Sequence, residues 1–205
     1  SLEADLVVAN ADLPHVYRDL LPGVAQPARL AGMKTSCSSH TFYWGFCRPV
    51  KSITEQHAVF FGPDWKAGVD ALSPEKPFPA DPHFYLNAPT RHDVTAAPRG
   101  QDAIMVVVPC PPLPAEVDRA ALRRSVLSRL SKREGRDLGK ALVFEAGYTP
   151  KAWQDKYHLK NGAMLGSLDH RLSQMGPLRP SNRHPRIRNL YFVGGSTRPA
   201  SGVPM

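Results

Sequence analysis

The stretch LYFVGGSTRPASGVPM, residues 190–205, contains the clearest structural signal in the chain. Its first four residues are apolar or aromatic, which is typical of a strand buried on both faces. Gly194 and Gly195 follow directly, and residues without a Cβ atom let the backbone approach a ligand closely. Ser196 and Thr197 add hydroxyls in a loop of turn residues. The stretch predicts half of a cofactor site, with an ordinary loop after a buried strand as the alternative.

Elsewhere the sequence predicts short strands with a few helices. The strand candidates, rich in β-branched, aromatic or apolar residues, are 6–9, 41–46, 58–61, 84–87, 104–108 and 141–146. Helices are predicted over residues 16–21, 116–131 and 149–157, the last with Pro150 at its first position. Most connections between strands show no helical pattern, so we expect an antiparallel or mixed sheet.

Basic residues are concentrated in two segments, and the formal net charge is +8. One segment runs from Arg119 to Lys140, on and after the helix over residues 116–131. Along this helix, Leu122, Val126 and Leu130 recur every four residues as one apolar stripe. The other basic segment is residues 179–188. No aromatic residues are interleaved with these charges, so we predict no nucleic-acid partner. A solvated surface is the first interpretation, and an anionic membrane surface is the partner that fits best if there is one.

The composition excludes several classes of function. Of the 205 residues, 42% are apolar, and no run approaches the roughly 20 apolar residues that cross a bilayer. Cys37, Cys47 and Cys110 have neither CxxC spacing nor histidines at metal-ligand intervals, so we expect reduced thiols, no disulfide and no metal site. The N-terminus has no signal-peptide pattern, which leaves peripheral membrane, cytoplasmic and plastid locations open.

Five segments together are similar to one protein family. NLYFVGGSTRPASGVPM, residues 189–205, resembles the C-terminal flavin motif NLYFVGAxTxPGxGxP of the bacterial and fungal type of phytoene desaturase. DLVVANADLPHVYRDLLP, residues 5–22, is similar to the family's strand and turn where the chain leaves the flavin domain. Residues 36–46, 84–111 and 149–183 follow in the family's order and spacing. The family's enzymes are much longer and carry a GxGxxG turn that this sequence lacks, so we expect a C-terminal part of a longer protein.

The resemblance implies an α/β (mixed α+β) fold in two parts. A Rossmann-like FAD-binding domain would be assembled from several sequence segments, with a substrate domain on an antiparallel or mixed sheet inserted between them. We place a first piece of the FAD-binding domain at residues 1–21, the substrate-binding domain at 22–188, and a last piece of the FAD-binding domain at 189–205. A Pro-Gly break and the basic stretch before the last strand set these boundaries.

The cofactor implied by the resemblance is FAD. Gly194 and Gly195 would approach its pyrophosphate or ribityl chain. The other cofactor-binding candidates, which would run beside the ribityl chain and the isoalloxazine ring, are Thr197, Gly202, Val203 and Pro204. The sequence departs from the family's motif at Gly195, where Ala is frequent, and at Ala200, where Gly is usual. Both departures keep a small residue.

The chain is poor in the usual catalytic groups, which suits chemistry carried by a flavin that accepts a hydride. The sequence identifies no catalytic residue. Ser39 and His40 are neighbours in a serine cluster, but adjacent strand residues point to opposite faces, so hydrogen-bonded hydroxyls are the simpler interpretation. His170, Gln174 and Arg179 either lie near the flavin or bind local backbone groups.

Phe42, Trp44 and Phe46 alternate along one predicted strand and share a face, with Tyr43 on the other face. A long polyene without polar groups is held only by burial and shape, so the three aromatic residues are candidates for a substrate wall. A plain hydrophobic core is the alternative for the same residues.

The resemblance implies that the full-length protein is an FAD-dependent carotenoid desaturase. It would introduce double bonds into phytoene or a related carotenoid by hydride transfer, at a membrane surface, with a quinone or oxygen as electron acceptor. Two alternatives stay open: a carotenoid cis-trans isomerase of the same flavin superfamily, and a non-enzymatic module that binds apolar ligands. We expect the 205 residues alone to be inactive, because they lack the dinucleotide-binding turn.

Overall fold

The computed structural model describes residues 3–166 and 168–202. The chain divides into two compact units, one formed by residues 1–38 with 150–205 and the other by residues 39–149. Parallel and antiparallel strands both occur, which confirms the mixed α/β class. The boundaries expected after residues 21 and 188 both fall inside the first unit, and the assignment of flavin-binding and substrate-binding domains stays a prediction.

A five-stranded sheet with the order β3-β4-β5-β2-β6 forms the second unit. Its strands are β2 (Ser38–Phe46), β3 (His57–Phe60), β4 (Phe84–Asn87), β5 (Asp102–Cys110) and β6 (Leu142–Tyr148). Antiparallel pairing joins β3 to β4, β4 to β5 and β2 to β6, as connections without crossover helices predict. All the strands predicted in this unit are present, with ends displaced by a few residues at most.

One face of this sheet is covered by α4 (Arg119–Glu134), whose predicted apolar stripe is buried in the core. The helix begins later than expected because Asp118 caps it. The carboxylate of Asp118 accepts hydrogen bonds from the N–H groups of Ala120 and Ala121, at 2.8 and 3.1 Å. The helix ends at Gly135, whose φ of 72° gives the left-handed conformation common after a helix C-terminus.

Two short parallel strands organise the first unit, where β1 (Val7–Ala9) pairs with β7 (Leu190–Phe192). Phe192 is buried, but Val7 and Val8 are 50% and 51% exposed. The burial on both faces expected for residues 190–193 holds at Leu190 and Phe192 only, since Tyr191 is half-buried and Val193 is exposed. Residues 6–9, expected as a buried strand, are largely exposed within the described residues. Parallel strands are buried on both faces only where other elements cover both. Val7 and Val8 point to opposite faces and are both exposed, so the described residues cover neither face of β1 at these positions.

The remaining elements are short. In the first unit, α1 (Leu13–His15) continues into a π-helical turn (Val16–Leu20), and α2 (Ala28–Ala31) and α5 (Pro150–Tyr157) follow along the chain. The helices predicted at residues 16–21 and 149–157 are thus confirmed. In the second unit, α3 (Trp65–Asp70) is the additional helix. Across the part of the chain that the structure describes, no helix combines the length and apolar character needed to span a membrane.

A buried ion pair fixes the start of β5. Asp102 is 1% exposed and accepts hydrogen bonds from Arg91 at 2.8 and 3.0 Å and from the Val50 N–H at 2.9 Å. Burial alone raises the pKa of Asp102, but the donors, with Thr90 among them, outweigh it and hold the pKa below its usual value. Arg91 also donates to the carbonyl of Val50 at 2.9 Å, which ties the loop after β2 to β5.

We expect Asp102→Ala to lower the free energy of unfolding by about 3 kcal/mol, because the half-buried Arg91 and the buried Val50 N–H would both lose their acceptor. Urea denaturation measures the loss. Asp93→Ala is the matched control, since it removes an exposed carboxylate that contacts Thr95, and it should cost less than about 1 kcal/mol. Equal losses in the two variants would contradict a special role for the buried pair.

Candidate functional site

The turn after β7 presents backbone rather than side chains. Gly194 is exposed and has a φ of 108°, in the region that favours glycine. The N–H groups of Gly194 and Gly195 have no acceptor among residues 3–166 and 168–202. These two donors therefore have no acceptor of their own, and the binding of a ligand by this turn stays a prediction.

Gly195 is in close backbone contact with Gly166, a residue that the sequence did not single out. A Cβ atom at Gly195 would lie 2.9 Å from the Cα atom of Gly166, and a Cβ atom at Gly166 would lie 2.7 Å from the Cα atom of Gly195. Both distances are too short for a side chain without a backbone shift. An alanine at position 195, which is frequent in the family, would therefore collide with the backbone of Gly166 in this chain.

Arg179 holds the same turn through backbone carbonyls. Its side chain is 1% exposed and donates to Leu168, Asp169 and Gln174 at 3.0, 2.9 and 3.0 Å, and to Gly195 through two nitrogens. Burial lowers the pKa of Arg179 and the charge of Asp169 opposes this, but a guanidinium stays charged in proteins. The structure shows that Arg179 binds local backbone groups, and one of these belongs to the predicted cofactor turn.

The hydroxyls of Ser196 and Thr197 point into the protein. Ser196 donates to the carboxylate of Asp12, which lies 184 residues earlier in the chain. Thr197 is 1% exposed and donates to the carbonyl of Gly194 at 2.9 Å, while the Asn182 amide donates to the Thr197 hydroxyl at 3.3 Å. Both hydroxyls therefore shape the loop in this structure. The predicted place of Thr197 beside a ribityl chain stays a prediction.

Gln174 and His170 support neighbouring segments of the first unit. The Gln174 amide is buried and bonds the N–H and carbonyl groups of Lys34, at 2.8 and 2.9 Å. The His170 Nε2 atom lies 2.6 Å from the Ser201 hydroxyl, which is in the loop after β7. Gln174 thus bonds backbone groups of a segment 140 residues earlier in the chain, and His170 contacts the loop that carries the cofactor motif.

The end of the motif is only partly described. Gly202 has a φ of 108°, so this position also needs glycine. Val203 and Pro204, the last two candidates beside the isoalloxazine ring, lie outside the described residues, and their roles stay predictions.

Phe42, Trp44 and Phe46 share one face of β2, and the structure places them in the core beneath α4. Their side chains are 0%, 2% and 0% exposed and pack with the apolar stripe of the helix. Within the part of the chain described, they fill the core and line no opening, which fits the alternative interpretation of a plain core.

The opposite face of the same sheet is partly accessible and carries both apolar and polar residues. Its apolar and aromatic residues at Tyr43, Val59, Met105, Val107, Phe144 and Tyr148 are called here the open sheet face. His57, Tyr85 and Asn87 lie on the same side and bond one another. The rings of Tyr43 and Tyr148 meet edge to face, with centroids 6.2 Å apart. Phe144 and Val59 are 60% and 58% exposed. The strand alternation that buries one set of residues therefore presents this second set for contact with an apolar ligand.

Ser39 and His40 do not form a nucleophile and base pair. The Ser39 hydroxyl lies 3.2 Å from the Thr41 hydroxyl, and neither ring nitrogen of His40 has a hydrogen-bond partner in the described chain. Burial, assisted by the charge of Arg119, lowers the pKa of His40 to about 4, so the ring is neutral at neutral pH. The sequence favoured ordinary hydrogen-bonded hydroxyls over catalysis here, and the structure agrees.

Within the described residues, Cys37, Cys47 and Cys110 form no disulfide. Burial raises the pKa of the Cys37 thiol, which disfavours the reactive thiolate. No group of three or more histidine, cysteine, aspartate or glutamate side chains within residues 3–166 and 168–202 could hold a metal ion.

The fold and the glycine turn define a mixed α/β protein with a candidate cofactor loop, and over its whole length the chain is similar to carotenoid desaturases. All of the chain aligns with a phytoene desaturase of Fusarium fujikuroi, at 33% identity over 228 residues, and with one of Neurospora crassa, at 37% over 219 residues. A zeta-carotene-forming phytoene desaturase of Myxococcus xanthus is 37% identical over 99% of the chain. These alignments confirm the resemblance stated from the sequence.

The chain spans only 36–40% of the length of these relatives. No protein-family model matches it. Among solved structures, an oxidoreductase from Methanosarcina mazei matches 96% of the chain and 39% of its own, with a TM-score of 0.49 and 14% identity.

We expect Arg179→Lys to lower the free energy of unfolding by about 3 kcal/mol, because an ammonium group cannot reach four carbonyls at once. Hydrogen exchange of the segment 190–202 should also become faster, since Gly195 would lose its donor. Arg183→Lys, at an exposed arginine, is the control and should change neither quantity. Unchanged exchange in Arg179→Lys would show that the turn holds without the guanidinium.

The buried His40 predicts a pH dependence of stability. Its pKa of about 4 in the folded protein lies below that of an unfolded histidine, so the unfolded state binds the proton first as the pH falls. Stability is then complete above about pH 6.5 and falls by about 2 kcal/mol on going to about pH 5. His40→Leu should remove this part of the pH dependence in urea denaturation, whereas His92→Leu, at an exposed histidine, should retain it. Identical pH profiles for wild type and His40→Leu would refute the assignment.

Proposed function

We propose that the full-length protein is an FAD-dependent carotenoid desaturase acting on phytoene or a related polyene. The observation that carries this proposal is the similarity of the whole chain, at 33–37% identity, to three proteins named as phytoene desaturases. The names of these relatives favour a desaturase over a cis-trans isomerase. No specific observation favours a non-enzymatic module.

The turn after β7 fits the diphosphate or ribityl oxygens of FAD. Gly194 and Gly195 offer free N–H donors without side chains in front of them, and Arg179 fixes the carbonyl side of the same turn. When bound, the flavin supplies the hydride acceptor. The contribution of this chain is to bind and orient the cofactor, with the Ser196 bond to Asp12 anchoring the loop to the segment after β1.

The open sheet face fits an apolar substrate better than the buried face of β2. Tyr43, Phe144 and Val59 are accessible and can contact a hydrocarbon without moving α4. Burial of such a face against a polyene releases water from both surfaces, which is the only strong driving force available for a ligand without polar groups. We therefore propose that this face, rather than Phe42, Trp44 and Phe46, contributes to the substrate wall.

The proposed reaction also requires an electron acceptor and access to a substrate that resides in lipid. A quinone or oxygen would reoxidise the flavin. The net charge of +8 and the apolar substrate support a peripheral location at an anionic membrane surface.

The test is expression of the full-length protein in a phytoene-accumulating bacterial host, with chromatography of the pigments and a spectrum of the purified protein. We expect conjugated carotenoids and bound FAD. Bound flavin with unchanged phytoene would refute the substrate, and a purified protein without flavin would refute the cofactor.

A glycine pair tests the cofactor turn within the same experiment. Gly194→Ala introduces a side chain at a φ of 108° beside the free N–H groups, and Gly100→Ala introduces one at a φ of 79° where no atom lies within 4 Å. Both carry backbone strain, about 1–2 kcal/mol for Gly100→Ala and more for Gly194→Ala, whose φ lies outside the left-handed helical region. Only Gly194→Ala should weaken flavin retention, by about tenfold. Equal flavin contents in the two variants would place the flavin elsewhere.

A further inference from the structure

A cleft of about 550 Å³ opens in the first unit, with an apolar and aromatic floor. The floor residues, all from the core of this unit, are Leu13, Tyr17, Leu30, Met33 and Phe192. Such a floor favours the hydrocarbon part of a ligand and offers few partners to the N–H and carbonyl groups of a peptide.

Arginines surround this floor, and no acidic residue is among the residues that line the cleft. The six are Arg29, Arg179, Arg183, Arg186, Arg188 and Arg198. Arg29 donates to the carbonyl of Leu178 at 2.8 Å, and Arg198 donates to the carbonyl of Arg179 at 3.0 Å, so these and Arg179 itself have backbone partners.

The other three arginines have no such partners. The guanidinium groups of Arg183, Arg186 and Arg188 make no hydrogen bond or ion pair with any residue of the described chain. They lie close together in sequence at the exposed edge of the cleft, where solvent screens their mutual repulsion but no acidic side chain of the described residues pairs with them. An anion at this edge would supply that pairing.

The segment that carries these arginines is held in place by His184. This histidine is 5% exposed, and its Nδ1 atom accepts hydrogen bonds from the N–H groups of Arg186 and Ile187, at 3.1 and 2.7 Å. Its ring lies 5.9 Å from that of Tyr17 and 6.0 Å from that of Phe192 in the floor. The charged edge and the apolar floor are therefore fixed to one another, and together they match a ligand with an anionic head and an apolar body.

We propose that this cleft binds an anionic phospholipid, with the phosphate at Arg183, Arg186 and Arg188 and an acyl chain against the floor. Guanidinium groups bind phosphate oxygens through paired hydrogen bonds. The apolar floor can contact the acyl chain of a phospholipid, whereas a free phosphate ion would leave the floor without a ligand. This inference rests on the proposed location at a membrane surface and names the part of the chain that contacts it.

The experiment is co-sedimentation of the full-length protein with phosphatidylcholine vesicles that contain or lack phosphatidylglycerol. The triple variant Arg183→Gln, Arg186→Gln, Arg188→Gln should bind the anionic vesicles about 100-fold more weakly, at about fivefold for each charge. The control with the same change in charge is Arg124→Gln, Lys132→Gln, Lys140→Gln, which removes exposed basic residues of α4 and the turn after it. It should weaken binding less than about threefold. Ile187→Ser, at the cleft wall, should weaken binding without a change in charge.

Each contrary outcome is distinct. If the wild type does not sediment with anionic vesicles, the membrane location itself is refuted. If it sediments but the two triple variants lose equal affinity, binding depends on net charge and the cleft has no special role. If inorganic pyrophosphate displaces the protein from vesicles and Ile187→Ser binds normally, the site is one for a free phosphate. If the cleft variant loses thermal stability without vesicles and still binds them normally, an acidic protein segment occupies the cleft.

Discussion

The buried guanidinium of Arg179 is the contact on which the candidate cofactor turn depends. It donates to the carbonyls of Leu168, Asp169 and Gln174 in one segment and to that of Gly195 in the turn after β7. Carbonyl groups in loops lack the hydrogen bonds that a helix or sheet would provide. Here a single guanidinium supplies hydrogen-bond donors to several of them. The N–H side of the turn at Gly195 is then left free, and this asymmetry is what makes the turn suitable for a ligand.

Strand alternation divides the aromatic residues of the second unit between two tasks. Phe42, Trp44 and Phe46 close the core against α4, while Tyr43 and Phe144 on the opposite face stay accessible. The core face of β2 is the face that α4 covers. Because α4 lies far from β2 in the sequence, the local pattern of β2 does not show which face this is. A strand rich in aromatic residues therefore identifies two candidate surfaces, and packing selects between them.

The basic residues also divide into two groups with different environments. On α4, Arg123 bonds Glu145 at 2.6 Å, and Arg119 lies 4.3 Å above the ring of Phe42. The guanidinium groups of both arginines therefore contact side chains of the same unit, while their aliphatic parts can pack on the protein surface. The guanidinium groups of Arg183, Arg186 and Arg188 have no such contacts within the described residues. The arginines of α4 therefore stabilise the unit, whereas these three are candidates for binding a ligand.

The sequence by itself determined the strands, the three main helical segments, the glycine turn after β7 and the resemblance to carotenoid desaturases, because these depend on local periodicity, turn residues and motif order. It could not assign Asp12, Gly166 or Asn182 to the loop at Ser196 and Thr197, because their contacts join positions distant in the chain. It also left open which face of β2 is core and why Gly195 replaces alanine. Only the tertiary structure decided these points, since burial and close backbone approach arise from packing between segments rather than from the order of residues within one.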